Sequence, residues 1–231
     1  MKAKSLSIVL TLVFLAFAVA IHAQVKEERT VDKFTSIWMS IPGDLYLSQG
    51  SPQKVVLEAD KDILQKIETE VENGKLKIKF SVYNVRTTSK IKVWVTMPEV
   101  DGLFLSGSGS LNAETAIKSD EMEISVSGSG KIHIKELTCD EVDAAISGSG
   151  NINLGGSADE MQMSISGSGS CAAEGFSVQE ASIHISGSGS CKINAVKDME
   201  AAISGSGTVY YAGNPTIDAS VSGSGKVRKI E

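Results

Sequence analysis

The sequence predicts an all-β fold, a parallel β-solenoid, and three observations carry that reading. The first is a repeat: Ser-Gly-Ser-Gly occurs seven times, beginning at Ser106, Ser127, Ser147, Ser166, Ser186, Ser204 and Ser222, with offsets of 21, 20, 19, 20, 18 and 18 residues. A period near 20 marks a supersecondary unit that cannot bury its own apolar face and must stack on its neighbours. The second is alternation: the residue before the first serine is Val126, Ile146, Ile165, Ile185, Ile203 or Val221, and apolar or small residues recur two and four places earlier. Between them stand mostly polar residues, such as Glu123, Asp143, Gln162, Ser182, Glu200 and Asp218, which is the pattern of a half-buried strand. The third is composition, because a chain with 5% aromatic residues suits a thin core of Ile, Val, Met, Ala and Gly.

From the N-terminus, Lys2 and Lys4 precede an apolar run from Leu6 to Ile21 that ends Ile21-His22-Ala23. This is a secretory signal peptide, residues 1–23, with cleavage expected before Gln24; the run is short for a bilayer span. No cysteine follows the cleavage site, which sets a bacterial lipoprotein aside. Removing Lys2 and Lys4 from 22 basic residues leaves 20 against 28 acidic, a formal charge of −8. That balance disfavours nucleic acid and anionic lipid as partners. No second hydrophobic span follows, so no membrane span is expected once the signal is removed.

Residues 24–100 form a β-rich part in which the repeat is not visible. Ile37 to Ile41 and Asp44 to Leu47 flank a Pro42-Gly43 turn, and Lys54 to Ala59 is a further strand. Asp62 to Lys66 reads as one helical turn capped by Asp62, with Gln65 three residues on. A hairpin spans 67–80: Glu68, Glu70 and Glu72 alternate with Ile67, Thr69 and Val71, Asn73-Gly74 supplies a type I′ turn, and Lys75, Lys77 and Lys79 alternate with Leu76, Ile78 and Phe80. The glutamates then face the lysines across the strands, which fixes register. Lys90 to Met97 is another strand, with Ile91, Val93 and Val95 inward and Trp94 outward, and Pro98 ends it.

Residues 101–231 hold the repeats, continuous with the preceding part as one domain. If the alternation runs straight through each motif, Ile146, Gly148, Gly150, Ile152 and Leu154 point inward, while Ser147, Ser149, Asn151 and Asn153 point outward. At about 4.8 Å per rung, seven rungs make a rod on the order of 30 Å long. Cys171 and Cys191 fall at equivalent places on adjacent rungs. Parallel Cβ vectors about 4.8 Å apart exceed the usual disulfide spacing, so free buried thiols are expected for them. The terminal Lys226-Val-Arg-Lys-Ile-Glu231 closes the last rung, and its charges are expected to cap the rod against further stacking.

These strings resemble the auto-transporter adhesin head GIN domain family of exported bacterial proteins. The resemblance rests on Ile67-Glu-Thr-Glu-Val-Glu-Asn-Gly74-Lys-Leu-Lys-Ile78, on Ile91-Lys-Val-Trp-Val-Thr-Met-Pro98, on Leu105-Ser-Gly-Ser-Gly109, and on copies such as Gly148-Ser-Gly-Asn-Ile-Asn153. It runs from about Phe34 to the C-terminus. It implies a right-handed single-stranded β-helix and secretion, and it carries no catalytic residues.

Chemistry is otherwise sparse. Polysaccharide-cleaving β-helices need converging carboxylates with a basic residue, whereas here outward charges recur in columns, and no Gly-x-Ser-x-Gly elbow with an orienting His is evident. The expectation is a non-enzymatic adhesion or ligand-binding module without cofactor, a monomer or weak oligomer in the periplasm or outside the cell. A carbohydrate-active β-helix enzyme is the alternative. The candidate binding surface is the serine ladder of Ser106, Ser127, Ser147, Ser166, Ser186, Ser204 and Ser222, which could meet a glycan, a protein strand or ice, with outward Tyr210 as an aromatic platform. A structural role for these serines, keeping a stacked sheet soluble, is the competing reading. No metal is expected. A weaker candidate is a calcium site along the acidic column of Glu121, Glu141, Glu160, Glu180 and Asp198, flanked by Asp120, Asp140 and Asp159, a solvated corner being the simpler account.

Overall fold

The computed structural model describes residues 24–85 and 90–230. The predicted signal segment lies outside the described residues. Of the described residues 71% are strand and 2% helix, and the strands stack into a parallel β-solenoid.

Each repeat forms one turn of the solenoid. Lys131–Gly148, Asn151–Gly167, Ser170–Gly187 and Ser190–Gly205 are long bent strands, each broken from the next only at the second Ser-Gly of the motif. They pair in parallel and in register, so that Ile146 lies against Ile165, Ile165 against Ile185 and Ile185 against Ile203. The alternation does pass through the motif. Ile146, Gly150 and Ile152 are buried while Ser147 and Ser149 are exposed. The two glycines have different reasons. The first adopts φ between +104 and +123° in every copy, and a Cβ there would in most copies lie 2.5–2.7 Å from the carbonyl oxygen of the equivalent glycine one turn back. The second sits on the inner wall, where its missing side chain leaves room for the aliphatic residue of the previous turn. A Cβ on Gly189 would stand 2.5 Å from Cγ2 of Ile165, and one on Gly169 2.4 Å from Cγ2 of Ile146.

The solenoid begins before the first motif. Ser36–Met39 and Asp44–Gln49 form a turn whose corner is Ser40-Ile41-Pro42-Gly43, and this turn lies in register against Gly102–Gly107 and Ser110–Ala113. Its other side pairs in parallel with Lys75–Phe80 and Lys92–Met97. The stack is therefore out of chain order. The chain lays down the second turn, caps the end, returns to add the first, then crosses to the other side to continue.

Three features close the N-terminal end. The Ile67–Glu72 strand pairs antiparallel with Lys75–Phe80, with Glu68, Glu70 and Glu72 opposite Lys79, Lys77 and Lys75 as the sequence predicts. Asn73 and Gly74 have φ of 51° and 73°, the positive values a type I′ turn needs. Ion pairs join Lys77 to Glu72 and Lys79 to Glu70. Lys54–Ala59 pairs antiparallel with Lys92–Met97, and Val25–Arg29 antiparallel with Lys54–Ala59. The helical turn is Lys61–Leu64, preceded by Asp60 and not by Asp62 as the capping pattern suggests. Asp60 accepts at its carbonyl from the amides of Ile63 and Leu64. The phase is set by burial, since Ile63 and Leu64 must both reach the core.

The C-terminal end is different. Among the described residues, Thr216–Gly223 and Lys226–Lys229 each pair on one side only, with the preceding turn. Ile217 and Val221 continue the inward columns of Met199 and Ile203, yet they are 38% and 43% exposed, against 2% for each of those neighbours. The charges of Lys226, Arg228 and Lys229 lie on the other arm of the last turn and leave these two side chains uncovered.

Candidate functional site

The structure places the predicted serines on one outward face. Ser106, Ser127, Ser147, Ser166, Ser186, Ser204 and Ser222 pair successively in register, one per turn. All are exposed except Ser106, which is half-buried. The face is stiff at its edge, because each corner is tied to the next by backbone bonds such as Ser149 N–H to Gly128 O at 2.8 Å and Ser188 N–H to Gly167 O at 2.9 Å.

Beside the serines runs a second outward column, two residues earlier in each repeat: Phe104, Ser125, Ala145, Ser164, His184, Ala202 and Ser220. Between the two columns lies a shallow groove of about 550 Å³ whose walls include Ser147, Ser166, His184, Ser186 and Ser204. The groove is lined by serines, alanines, isoleucines and one imidazole, its surface is mostly apolar, and it runs along the rod axis, across the strands.

At the N-terminal end this column continues into aromatic residues. Phe104 pairs in register with Trp38, and both are half-buried on the outward face. The Lys75 ammonium lies 3.5 Å from the Phe104 ring centroid, a cation–π contact. Sequence reasoning missed this pair because the Trp38 turn carries Ser40-Ile41-Pro42-Gly43 in place of the motif. The signal was present for Phe104, which stands two residues before Ser106 just as Ser125 stands two before Ser127.

Tyr210 falls elsewhere. It is outward, as predicted, but on the strand after the corner, in register with Lys192 and Arg228. That second face also begins with aromatics: Tyr46 and Trp94 stack with centroids 5.7 Å apart and rings inclined by 20°. Lys26 lies 4.4 Å from the Trp94 centroid, and Glu58 holds Lys26 and Lys92 at 3.3 and 3.7 Å.

The acidic column is in register as predicted, Glu121 against Glu141, then Glu160, Glu180 and Asp198. Its side chains are exposed apart from half-buried Glu141, and among the described residues no three His, Cys, Asp or Glu side chains converge to hold a metal ion. Asp120, Glu121, Glu123 and Glu141 also line a recess of about 820 Å³ with Glu99, Asp101 and Lys118. Gln49 braces its wall, donating from Nε2 to Lys118 O at 2.8 Å and accepting at Oε1 from Lys118 N–H at 2.7 Å.

The three cysteines are free and buried, and Cys171 and Cys191 are neighbours in register. Their mutual hydrogen bond, and then burial, hold the Cys191 thiol well above its usual 9.0. Burial likewise raises Cys139, whose Sγ lies 2.8 Å from Glu141 O. All three thiols pack in the wall of the solenoid, and the upward shifts of Cys139 and Cys191 disfavour their thiolates.

Fold and surface together define a class: a β-solenoid that presents a long, uncharged, largely apolar groove edged by serine hydroxyls. The chain belongs to the family described as putative auto-transporter adhesin, head GIN domain, whose model matches residues 33–215. In structure it is similar to a putative adhesin from Bacteroides fragilis, at 24% identity over 90% of this chain and 97% of that one, with a TM-score of 0.86. A putative lipid binding protein from Parabacteroides distasonis aligns at 25% identity over 90% and 97%, TM-score 0.76, and a putative adhesin from Parabacteroides merdae at 24% over 90% and 96%, TM-score 0.72. A comparison with curated proteins finds no match. No helix among the described residues is long and apolar enough to cross a membrane.

Proposed function

We propose that this is an exported, non-enzymatic adhesion module that binds an extended glycan along the serine groove, with Trp38 and Phe104 at the head of the binding track. The observation that carries this reading is the continuity of the track: seven serines in register, a parallel column of small residues, and an aromatic pair in line with that column. A hydroxyl every ~4.8 Å along the rod presents a repeating set of donors and acceptors to a repeating polymer. Aromatic rings supply the apolar platform on which sugar rings pack. Membership of an adhesin family supports a surface or exported setting.

The enzymatic alternative would use the acidic recess around Asp120 and Glu123, which gathers carboxylates and Lys118. One experiment addresses both. Residues 24–231 are applied to an array of glycans and to insoluble polysaccharides, and every retained ligand is analysed by mass spectrometry for products. Retention without cleavage that is lost on Ser147→Glu/Ser186→Glu supports the proposal. Cleavage that is lost on Asp120→Asn/Glu123→Gln would replace it with the enzyme.

A further inference from the structure

We propose that the C-terminal end of the solenoid is a self-association surface, on which a second copy of the chain docks tail to tail. The contrast between the two ends is the starting point. At the N-terminal end antiparallel strands stop the parallel stack, and Ile63 and Leu64 are 4% and 2% exposed. At the C-terminal end the same core columns finish on Ile217 and Val221, 38% and 43% exposed, with Ala219 exposed between them. A solenoid turn buries its inner face only against a neighbour, so an end turn without a polar cap is incomplete. The edge is also open for hydrogen bonding. Thr216–Gly223 is eight residues long, pairs on one side only, and carries no Pro, Lys or Arg to blunt it.

Charge decides which occupant fits and how. The terminal turn has two arms that meet at Ser224: Thr216–Gly223 runs toward the corner and bears Asp218, while Lys226–Lys229 runs away and bears Lys226, Arg228 and Lys229. A twofold axis in the plane of the turn, bisecting this corner, lays each arm of one copy on the other arm of its partner. The paired strands are then antiparallel, with Ser222 beside the partner's Lys226, Ser220 beside the partner's Arg228, and Asp218 near that cationic arm. Superposing like arms instead would bring two sets of three cations together. The surface is therefore self-complementary in sign as well as in shape, and a twofold contact of this kind closes at two copies. The capped N-terminal end prevents growth into a filament.

Sedimentation velocity on residues 24–231, across a range of concentrations, tests the proposal. The expected result is a monomer–dimer equilibrium that stops at two. Val221→Lys is expected to weaken association at least about tenfold, because the site is exposed in the single chain and used twice in the dimer. Val196→Lys, at an exposed valine elsewhere, is expected to leave it unchanged. To fix the arrangement, Ser220→Cys and Arg228→Cys chains are mixed and oxidised. A cross-link between the two variants, and none within either alone, supports the bisecting axis. A monomer at every concentration, open-ended polymers, or a dimer indifferent to Val221→Lys would overturn the proposal.

Discussion

Replacing Gly189 by alanine should be costly in the native chain and much less so once Ile165 is shortened. A Cβ on Gly189 would lie 2.5 Å from Ile165 Cγ2 and 2.9 Å from Gly169 O, so it cannot be accommodated without moving the neighbouring turn. Overpacking of this kind costs ~1–3 kcal/mol, offset by ~0.4–1 kcal/mol from the stiffer unfolded chain. Ile165→Ala alone opens a cavity in a site 2% exposed and costs ~2–5 kcal/mol. In the double variant Cγ2 is gone and the Ile165 Cβ stands at an ordinary 3.5 Å, so the new methyl enters the vacated space, while the 2.9 Å approach to Gly169 O persists and keeps the rescue partial. The losses should fall short of their sum by at least ~1 kcal/mol, within the range seen for residues in contact. Urea unfolding of the four proteins, with midpoints compared at unchanged slope, gives the coupling. Losses that add within ~0.5 kcal/mol would refute the packing of each aliphatic residue over the glycine of the next turn. Gly187→Ala should find no such rescue, since its obstacles are a φ of +123° and a backbone oxygen at 2.5 Å.

Three further outcomes are expected. Asn73→Ala, at φ 51° in the hairpin turn, should destabilise by ~1 kcal/mol in the same urea assay, because alanine pays for the left-handed conformation. The Lys77 hydrogen bond and charge hold the Glu72 carboxyl below its usual 4.5, so its contribution is present above that pH and lost as pH falls through the lower folded value. The gap in unfolding midpoint between the native chain and Glu72→Gln should therefore close on acidification below 4.5. A colorimetric thiol reagent at mildly alkaline pH should leave Cys191 unmodified in the folded chain and label it on denaturation, since burial and Cys171 disfavour its thiolate.

The repeat was legible because every turn from Ser106 onward uses the same corner, and the φ of its first glycine tolerates little else. The turn of Ser36 to Gln49 was not, since Ser40-Ile41-Pro42-Gly43 keeps only the first and last residues of that corner. With that turn hidden, Trp38 could not be placed in line with Phe104 on the outward column. The stacking order was also illegible. Strand patterns say that Lys75–Phe80 has a buried face, but which turn it lies against depends on contacts distant in sequence. Asp62 misled because capping is weak beside the burial of Ile63 and Leu64. The charges of Lys226 to Lys229 suggested a capped end, yet they occupy one arm of the last turn and leave Ile217 and Val221 on the other uncovered.

The central claim is that the serine face acts as a track, with several turns engaging one chain. The most direct test is calorimetric titration of size-graded oligosaccharides from whichever polysaccharide the array retains. A track predicts affinity that climbs with each added sugar over several units before levelling, and a fall with Trp38→Ala that is largest for the oligomers long enough to reach it. Affinity already at its maximum for a mono- or disaccharide, and indifferent to both Trp38→Ala and Ser147→Glu/Ser186→Glu, would contradict it.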